Sequence, residues 1–517
     1  MGSLSATHGD DGRSTSEDRQ SKRDRNGTFP DIASKQQAEP EHLPTRRIHI
    51  MGMGSVGTLL AHSLMCLPNP PPISLLFHRP EMYDGFRASS RILRLINYRS
   101  HTNDERSGYD VDVAKYDEQE QSIFWKHVSH VNWDQEATTP PVEEEMMESG
   151  EVKIYTMIVT VKGPATVTAM QSIKHRVSAE TTICLMQNGM GQVDELNREV
   201  FTDPDTRPAY MLGVVSHGIY LSRQFAAIHS GIGSVAVGMV RDSDKHPLLR
   251  PESQTPDTAA ARAAASDSSH QNVPDEDLWS NITSRYLLRT LTRSPTLVCA
   301  MFPYLDLFQL QLEELAIDCI INPVTALLNI PNGSILGNGA LLRVSRFLLA
   351  EISIVIRRLP ELQGLPDVQS RFSSERLETL YLAITKQTVD NSSSMREDIR
   401  NHKNTEVDYI NGYIIRRGEE MGIKCVLNYM LTQLVKGLSW ESTRTDSLTM
   451  PYDVSEVLPT EASTVPPESS SSSSSSSRSR SSDDPSTDTD RYGQQGPVTL
   501  EDRGTPRRGE GGRLEKV

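Results

Sequence analysis

No run of about 18 apolar residues occurs anywhere in the 517-residue chain, so no membrane-spanning helix is expected. Cysteine is scarce. Cys66, Cys184, Cys299, Cys319 and Cys425 are scattered, and no two form a C-x-x-C pair. An odd, dispersed set suits a reducing compartment, and no metal site is expected. Basic residues are outnumbered: 53 Lys and Arg against 68 Asp and Glu leave a net charge of −15. Nonspecific nucleic-acid binding needs a basic surface, so no nucleic-acid partner is expected. The N-terminus has no apolar core like a secretory signal, and Asp10, Asp11, Glu17 and Asp18 oppose a transit peptide. Position 6 is Ala6, which breaks the myristoylation pattern. The cytoplasm is the expected compartment, with the mitochondrion as the alternative.

What is present divides unevenly. Residues 1–44 are polar and charged, and the tail 445–517 contains an unbroken serine run at 469–477. Neither can bury enough apolar surface to offset chain entropy, so both are expected to be disordered. Residues 242–277, rich in Ala, Ser, Asp and Pro, read as a low-complexity linker. Between the tails, short apolar runs at 48–50, 73–77, 154–161 and 182–186 read as buried strands. Val56, Leu59, Leu60 and Leu64 follow helical spacing. Residues 92–96 and 109–113 are expected to pair as a hairpin. Residues 120–151, with Glu143, Glu144 and Glu145, read as an inserted solvated loop. After the linker the spacing predicts helices at 305–328, 340–357, 374–388 and 405–421, with no strand of comparable strength. The expected architecture is an α/β doubly wound domain at 45–241 followed by an all-helical domain at 278–444.

The chemistry begins at Gly52-Met53-Gly54-Ser55-Val56-Gly57, a G-x-G-x-x-G run that follows a strand and opens a helix. In that context the first glycine permits the tight turn. The second lets backbone approach a pyrophosphate, and the third lets helix and strand pack closely. The helix N-terminus then faces the phosphates with a partial positive charge. An NAD site would carry an acid about 20 residues on. Here the place reads Phe77-His78-Arg79-Pro80, and Arg79 can pair with a 2′-phosphate. Nearby Glu81 is the one opposing feature. NADPH is the expected cofactor.

Further blocks extend the pattern. They are Val159-Thr160-Val161-Lys162, Gln187-Asn188-Gly189-Met190-Gly191, Ser216-His217-Gly218, Ile321-Asn322-Pro323, Asn332-Gly333, Ser393-Ser394-Met395 and Thr405-Glu406-Val407-Asp408-Tyr409-Ile410-Asn411-Gly412. In this order the chain resembles the ketopantoate reductase (2-dehydropantoate 2-reductase) family, as a fungal-like member with insertions. The resemblance implies a Rossmann-type domain followed by a helical domain like that of 6-phosphogluconate dehydrogenase, with the active site between them. It implies reduction of ketopantoate to pantoate, in pantothenate biosynthesis, with a small 2-keto acid as partner and a homodimer left open. It also implies roles. Lys162, Asn188, Gly218 (alanine in some members) and Glu406 would contact the cofactor. Asn188, Asp318, Asn322, Asn332 and Ser394 would contact substrate. Taken singly, Asn188-Gly189 and Asn332-Gly333 are turn signals, Ser394 reads as a helix cap and Glu406 as a first-turn acid.

One departure is chemical. The family's catalytic lysine lies eight residues before Asn322, with an asparagine four before it. Here those positions hold Glu314 and Asp318, and no lysine occurs between Lys245 and Lys386. Hydride transfer to a 2-keto acid builds negative charge on the carbonyl oxygen, which must be stabilised and protonated. At about 4 Å and an effective dielectric near 20, one charge pair is worth roughly 4 kcal/mol. Reversing its sign costs up to roughly 8 kcal/mol, on the order of six decades in rate. Positions 314, 318 and 322 share one helical face. Two acids there could share a proton, leaving Glu314 as a general acid. Alternatively the pair binds a cationic substrate such as an amine or imine. A third reading is a catalytically impaired paralogue that keeps NADPH binding and serves as a sensor or scaffold.

Overall fold

Ile48–Met51 is β1, and all four of its residues are buried. An apolar run without alternation is what a parallel strand covered by helices on both faces requires. The computed structural model describes residues 43–98, 100–117, 122–130, 151–242, 244 and 278–448. The expected tails lie outside the described residues except at their inner ends. So do nearly all of the linker and most of the insertion.

The strands that follow are β2 Ile73–Phe77, β3 Leu93–Asn97, β4 Asn103–Arg106, β5 Asp110–Asp117, β6 Ser122–Val128, β7 Thr156–Val159 and β8 Thr182–Leu185. They continue as β9 Ala209–Val215, β10 Gly218–Arg223, β11 Ala226–Gly231, β12 Val235–Met239 and β13 Cys299–Met301. Nine form one sheet in the order β13-β12-β9-β8-β7-β1-β2-β5-β6. Its centre, β9 to β5, is parallel throughout. A smaller sheet, β10-β11-β3-β4, stands apart from it. The helices are α1 Ser55–Met65, α2 Pro80–Ala88, α3 Thr166–Gln171, α4 Gln192–Glu199 and α5 Ile282–Thr292. Then come, besides the single turn Val368–Arg371, α6 Tyr304–Leu328, α7 Gly339–Ile356, α8 Ser374–Gln387, α9 Ser394–Arg400, α10 Asn411–Glu420 and α11 Val426–Leu448. None of the described helices is long and apolar enough to cross a membrane.

The doubly wound reading of the first half holds, with three corrections. The expected hairpin of 92–96 with 109–113 does not form. β3 instead pairs with β4 and β11, while β5 joins the main sheet beside β2, with Leu75 opposite Val111. Val111 and Val113 are buried there, a covering that a two-stranded hairpin cannot supply. The expected insertion also begins too early. Residues 122–128 form β6, antiparallel to β5, and Trp125 is buried with its indole N–H donating to the Ser172 carbonyl at 3.0 Å. Acidic flanks obscured this Ile-Phe-Trp run. Finally, the border expected at 278 falls inside the sheet layer. In α5, Leu287 and Leu291 pack into the sheet core, and the Thr283 and Ser284 hydroxyls bond Thr182 at 2.8 Å each. β13 adds a strand where none was expected, because three residues leave almost no periodic signal.

The helical half is organised on α6, whose buried residues run from Leu307 to Ala326. Pro323 sits inside it and has no N–H to donate to the Cys319 carbonyl one turn earlier. Asn411 replaces that donor: its Nδ2 reaches the Cys319 carbonyl at 2.9 Å. The expected helix 405–421 accordingly starts late. Residues 405–410 form a turn, and α10 begins at Asn411.

Asn411→Ala should leave the Cys319 carbonyl buried without a partner. The expected loss of unfolding free energy is about 1–3 kcal/mol, read by chemical denaturation.

Candidate functional site

The glycine turn has the geometry its spacing predicts. Gly52 has φ +103°, a conformation that side chains resist, and a Cβ there would come within 2.5 Å of the Val161 backbone nitrogen. A Cβ on Gly57 would collide with the Gly52 carbonyl, whereas one on Gly54 would meet nothing within 4 Å. The open side of the turn is therefore at Gly54, over the N-terminus of α1. No acid lies in the first turn of that helix. Met53, Ser55 and Val56 complete the turn. Arg79 follows β2 and precedes α2, exposed at the strand end neighbouring β1. Glu81 lies in the first turn of α2, also exposed.

The helical half meets the sheet through residues 405–410. Buried Glu406 accepts the Gly163 N–H at 3.0 Å, in the loop after β7. The Tyr409 carbonyl accepts the Met190 N–H at 2.8 Å, in the loop after β8. Both contacts depend on missing side chains. A Cβ on Gly163 would press to 2.6 Å from the Tyr409 ring, and one on Gly189, at φ +77°, to 2.5 Å from the Tyr409 carbonyl oxygen. Tyr409 also donates its hydroxyl to Glu195 at 2.6 Å.

The cleft so formed opens at the carboxyl ends of the parallel strands, the usual place for a ligand in an open α/β sheet. Asn188, Met190 and Val215 line its sheet side, and Gln311, Glu314 and Asp318 of α6 line the other. The two acids are half-buried: protein surrounds them while one face looks into the cleft. Burial, reinforced by Asp318, pushes the Glu314 carboxyl up to about 8. Burial and Glu406 raise Asp318 to about 7, against a hydrogen bond with Asn322 that works the other way. Asn322 itself is buried, one turn along the same face. Glu406 is raised too, by burial, while Lys162 and the Gly163 N–H oppose the shift. Lys162 forms an ion pair with Asp398 of α9. Lys162 is thus shared by Asp398 and Glu406, and the charge of Glu406 reaches Asp318 beside Glu314.

Asp398 and Asn411 were missed from the sequence. Asp398 could have been found as the residue one turn after Ser394. The other expected residues are distributed as follows. Asn332 is buried and donates from Nδ2 to the Thr388 hydroxyl at 3.1 Å, while its Oδ1 makes no hydrogen bond. Its N–H donates to the Asn391 carbonyl, which brings it to the strap leading into α9. Ser394 is exposed and is not the cap. That place belongs to Ser393, which accepts the Arg396 N–H at 3.1 Å and bonds Thr325 at 2.7 Å. Gly218 opens β10, which packs against α1 rather than lining the acidic cleft.

Comparison with known proteins identifies the family. The family model described as ketopantoate reductase PanE/ApbA matches residues 104–242, and that of the ketopantoate reductase PanE/ApbA C terminal matches 306–439. Among curated relatives, the Schizosaccharomyces pombe protein named "Probable 2-dehydropantoate 2-reductase" is 26% identical over 394 residues, covering 75% of this chain and 95% of its own length. The Saccharomyces cerevisiae 2-dehydropantoate 2-reductase is 22% identical over 412 residues, covering 75% and 93%. A Gibberella fujikuroi ketoisovalerate reductase is 24% identical over 405 residues, covering 72% and 78%. A solved Ralstonia solanacearum structure assigned to the ketopantoate reductases shares the fold at 16% identity, with a TM-score of 0.50 over 77% of this chain and 98% of its own.

The raised acids make stability depend on pH. Their folded values exceed the ordinary 4.5 and 3.8, so their contribution is complete at low pH and is lost as pH rises through about 7 to 8. The double variant Glu314→Gln, Asp318→Asn should therefore gain on the parent as pH rises from about 4 to 8. The gain should be at most about 1.4 kcal/mol per pH unit for each proton involved, read by thermal unfolding across pH. A gap that stays constant with pH would show that the pair carries no extra proton.

Proposed function

Because the chain belongs to the ketopantoate reductase family, we propose that it reduces a branched 2-keto acid to the 2-hydroxy acid with NADPH, ketopantoate first among its substrates. Turnover of ketopantoate would make it an enzyme of pantothenate biosynthesis. One observation carries the reading: the Glu314 carboxyl, which burial and Asp318 raise, faces the strand ends across the cleft.

The residues present fit the cofactor. The open space over Gly54 and the acid-free first turn of α1 suit a pyrophosphate. Arg79 at the end of β2 suits a 2′-phosphate, which the acid of an NAD site would repel. Lys162, Asn188, Gly218 and Glu406 would hold the rest of the nucleotide. When bound, NADPH supplies the hydride.

What this chain supplies is the proton and the surroundings of the carbonyl. Asn188, Asn322, Asn332 and Ser394 are the proposed substrate contacts. A protonated Glu314 is neutral, so it does not repel the substrate carboxylate, and its O–H can donate to the carbonyl oxygen. As negative charge develops there, the proton passes to it and Glu314 is left as a carboxylate beside Asp318. Asp318, held by Asn322, then keeps the vacated site eager to regain a proton. Lys162 offsets part of the negative charge through Asp398 and Glu406. The ketoisovalerate reductase among the relatives acts on another branched 2-keto acid, so ketoisovalerate is the natural competing substrate.

Two measurements test the reading. NADPH oxidation with ketopantoate should fall as pH rises through about 8, where Glu314 loses its proton. Glu314→Gln should lower kcat by about 10²–10⁴ while leaving NADPH affinity nearly unchanged. NADPH binding without turnover of either keto acid at any pH would overturn the proposal. Activity that then appears in Glu314→Lys, Asp318→Asn would mark the chain as an impaired paralogue. Separately, Arg79→Ala should weaken NADPH by about 10- to 100-fold while leaving NADH nearly untouched, read by fluorescence titration.

A further inference from the structure

The far end of α1 carries a second group of ligand-type side chains, away from the cleft. His62 lies in the last turn of α1 and Cys66 caps its C-terminal end, four residues on, so their side chains meet on one face. β4 runs past that face and adds Asp104. The His62 Nε2 bonds the Asp104 backbone carbonyl at 3.1 Å, which leaves Nδ1 facing Cys66 Sγ at 3.7 Å. Sγ is in turn 3.9 Å from Asp104 Oδ2. With bonds of about 2.0–2.3 Å, donors around a tetrahedral zinc ion lie roughly 3.3–3.8 Å apart. A ligating imidazole ordinarily donates its other N–H to a carbonyl or carboxylate, as the Nε2 contact here does.

Two further observations point to a cation. Arg106 now bridges Cys66 and Asp104: its Nε donates to Sγ at 3.1 Å and its Nη2 to Asp104 Oδ2 at 3.1 Å. Its side chain is 37% exposed, so it can swing into solvent without opening the core. Beside it lies Tyr109, wholly buried, whose hydroxyl makes no hydrogen bond and feels the charges of Cys66, Arg106 and Asp104. A water held on a metal would give that hydroxyl a partner. The location favours positive charge as well, since the C-terminal end of a helix is its negative pole.

We propose that His62 Nδ1, Cys66 Sγ and an Asp104 carboxylate oxygen form a zinc-class divalent metal site with water as fourth ligand. The Arg106 guanidinium holds the cation's place when no metal is bound. The mixed sulfur, nitrogen and oxygen set selects a borderline ion over magnesium or calcium. Binding releases the Cys66 thiol proton, and the ion pins the end of the glycine-turn helix to the small sheet.

The test is zinc titration of the full-length protein against a chromogenic chelator. One zinc per chain is expected. Cys66→Ser and His62→Ala should each weaken binding at least about tenfold, while Cys299→Ser should leave it unchanged. Asp104 is exposed, so Asp104→Asn probes the site without disturbing the core, and it should also weaken binding. Arg106→Ala should tighten it by removing the competing cation. Cobalt in place of zinc should give a thiolate charge-transfer absorption that Cys66→Ser abolishes. Absence of stoichiometric zinc binding, or binding that survives the Cys66, His62 and Asp104 substitutions, would overturn the proposal.

Discussion

Residues 405–411 are the joint on which the molecule turns. Within seven residues the segment accepts an N–H from the loop after β7, accepts another from the loop after β8, and donates to the carbonyl that Pro323 leaves open in α6. Each of these contacts is a backbone or buried polar group that would be costly to leave unpaired. The cleft is consequently a product of hydrogen-bond satisfaction. The segment that closes α6 also seats the helices on the strand ends, so the two halves cannot be repacked independently. Two glycines, Gly163 and Gly189, give Tyr409 room to approach.

That joint also sets the charge of the cleft. Seating Glu406 against Gly163 brings its carboxyl within reach of Asp318, and α9 delivers Asp398 to Lys162. Burial and the neighbouring like charge raise the carboxyls of the α6 acids well above their ordinary values. A lysine at position 314 would meet the same neighbours as an ordinary counterion. A glutamate meets them as a like charge, which raises its carboxyl.

The sequence was most readable where a motif is local. Gly52 makes the tight turn and Gly57 the close packing that spacing predicts, because both are decided within six residues. The long apolar helices and buried parallel strands were legible for a similar reason: their periodicity repeats over several turns or fills a whole strand. Strand partners were not. β5 lies beside β2 rather than β3, because pairing is chosen by which face must be covered. Short or flanked elements such as β13 and β6 carried too little pattern against their surroundings. Asp398 and Asn411 escaped because their roles depend on distant partners, Lys162 and Cys319, that spacing along the chain does not reveal. Ser394 was named one residue away from Ser393, which forms the cap and binds Thr325.

The crowd of carboxyls has a consequence for anything negatively charged that enters. A phosphate or carboxylate reaching this cleft meets groups that hold protons loosely near neutrality, and its field draws further protons onto them. Entry and proton uptake are then linked, so part of the heat of association belongs to the buffer that gives up the proton. In thermodynamic terms the solvent proton is itself a ligand of this cleft, and it arrives with the anion rather than waiting for the chemical step.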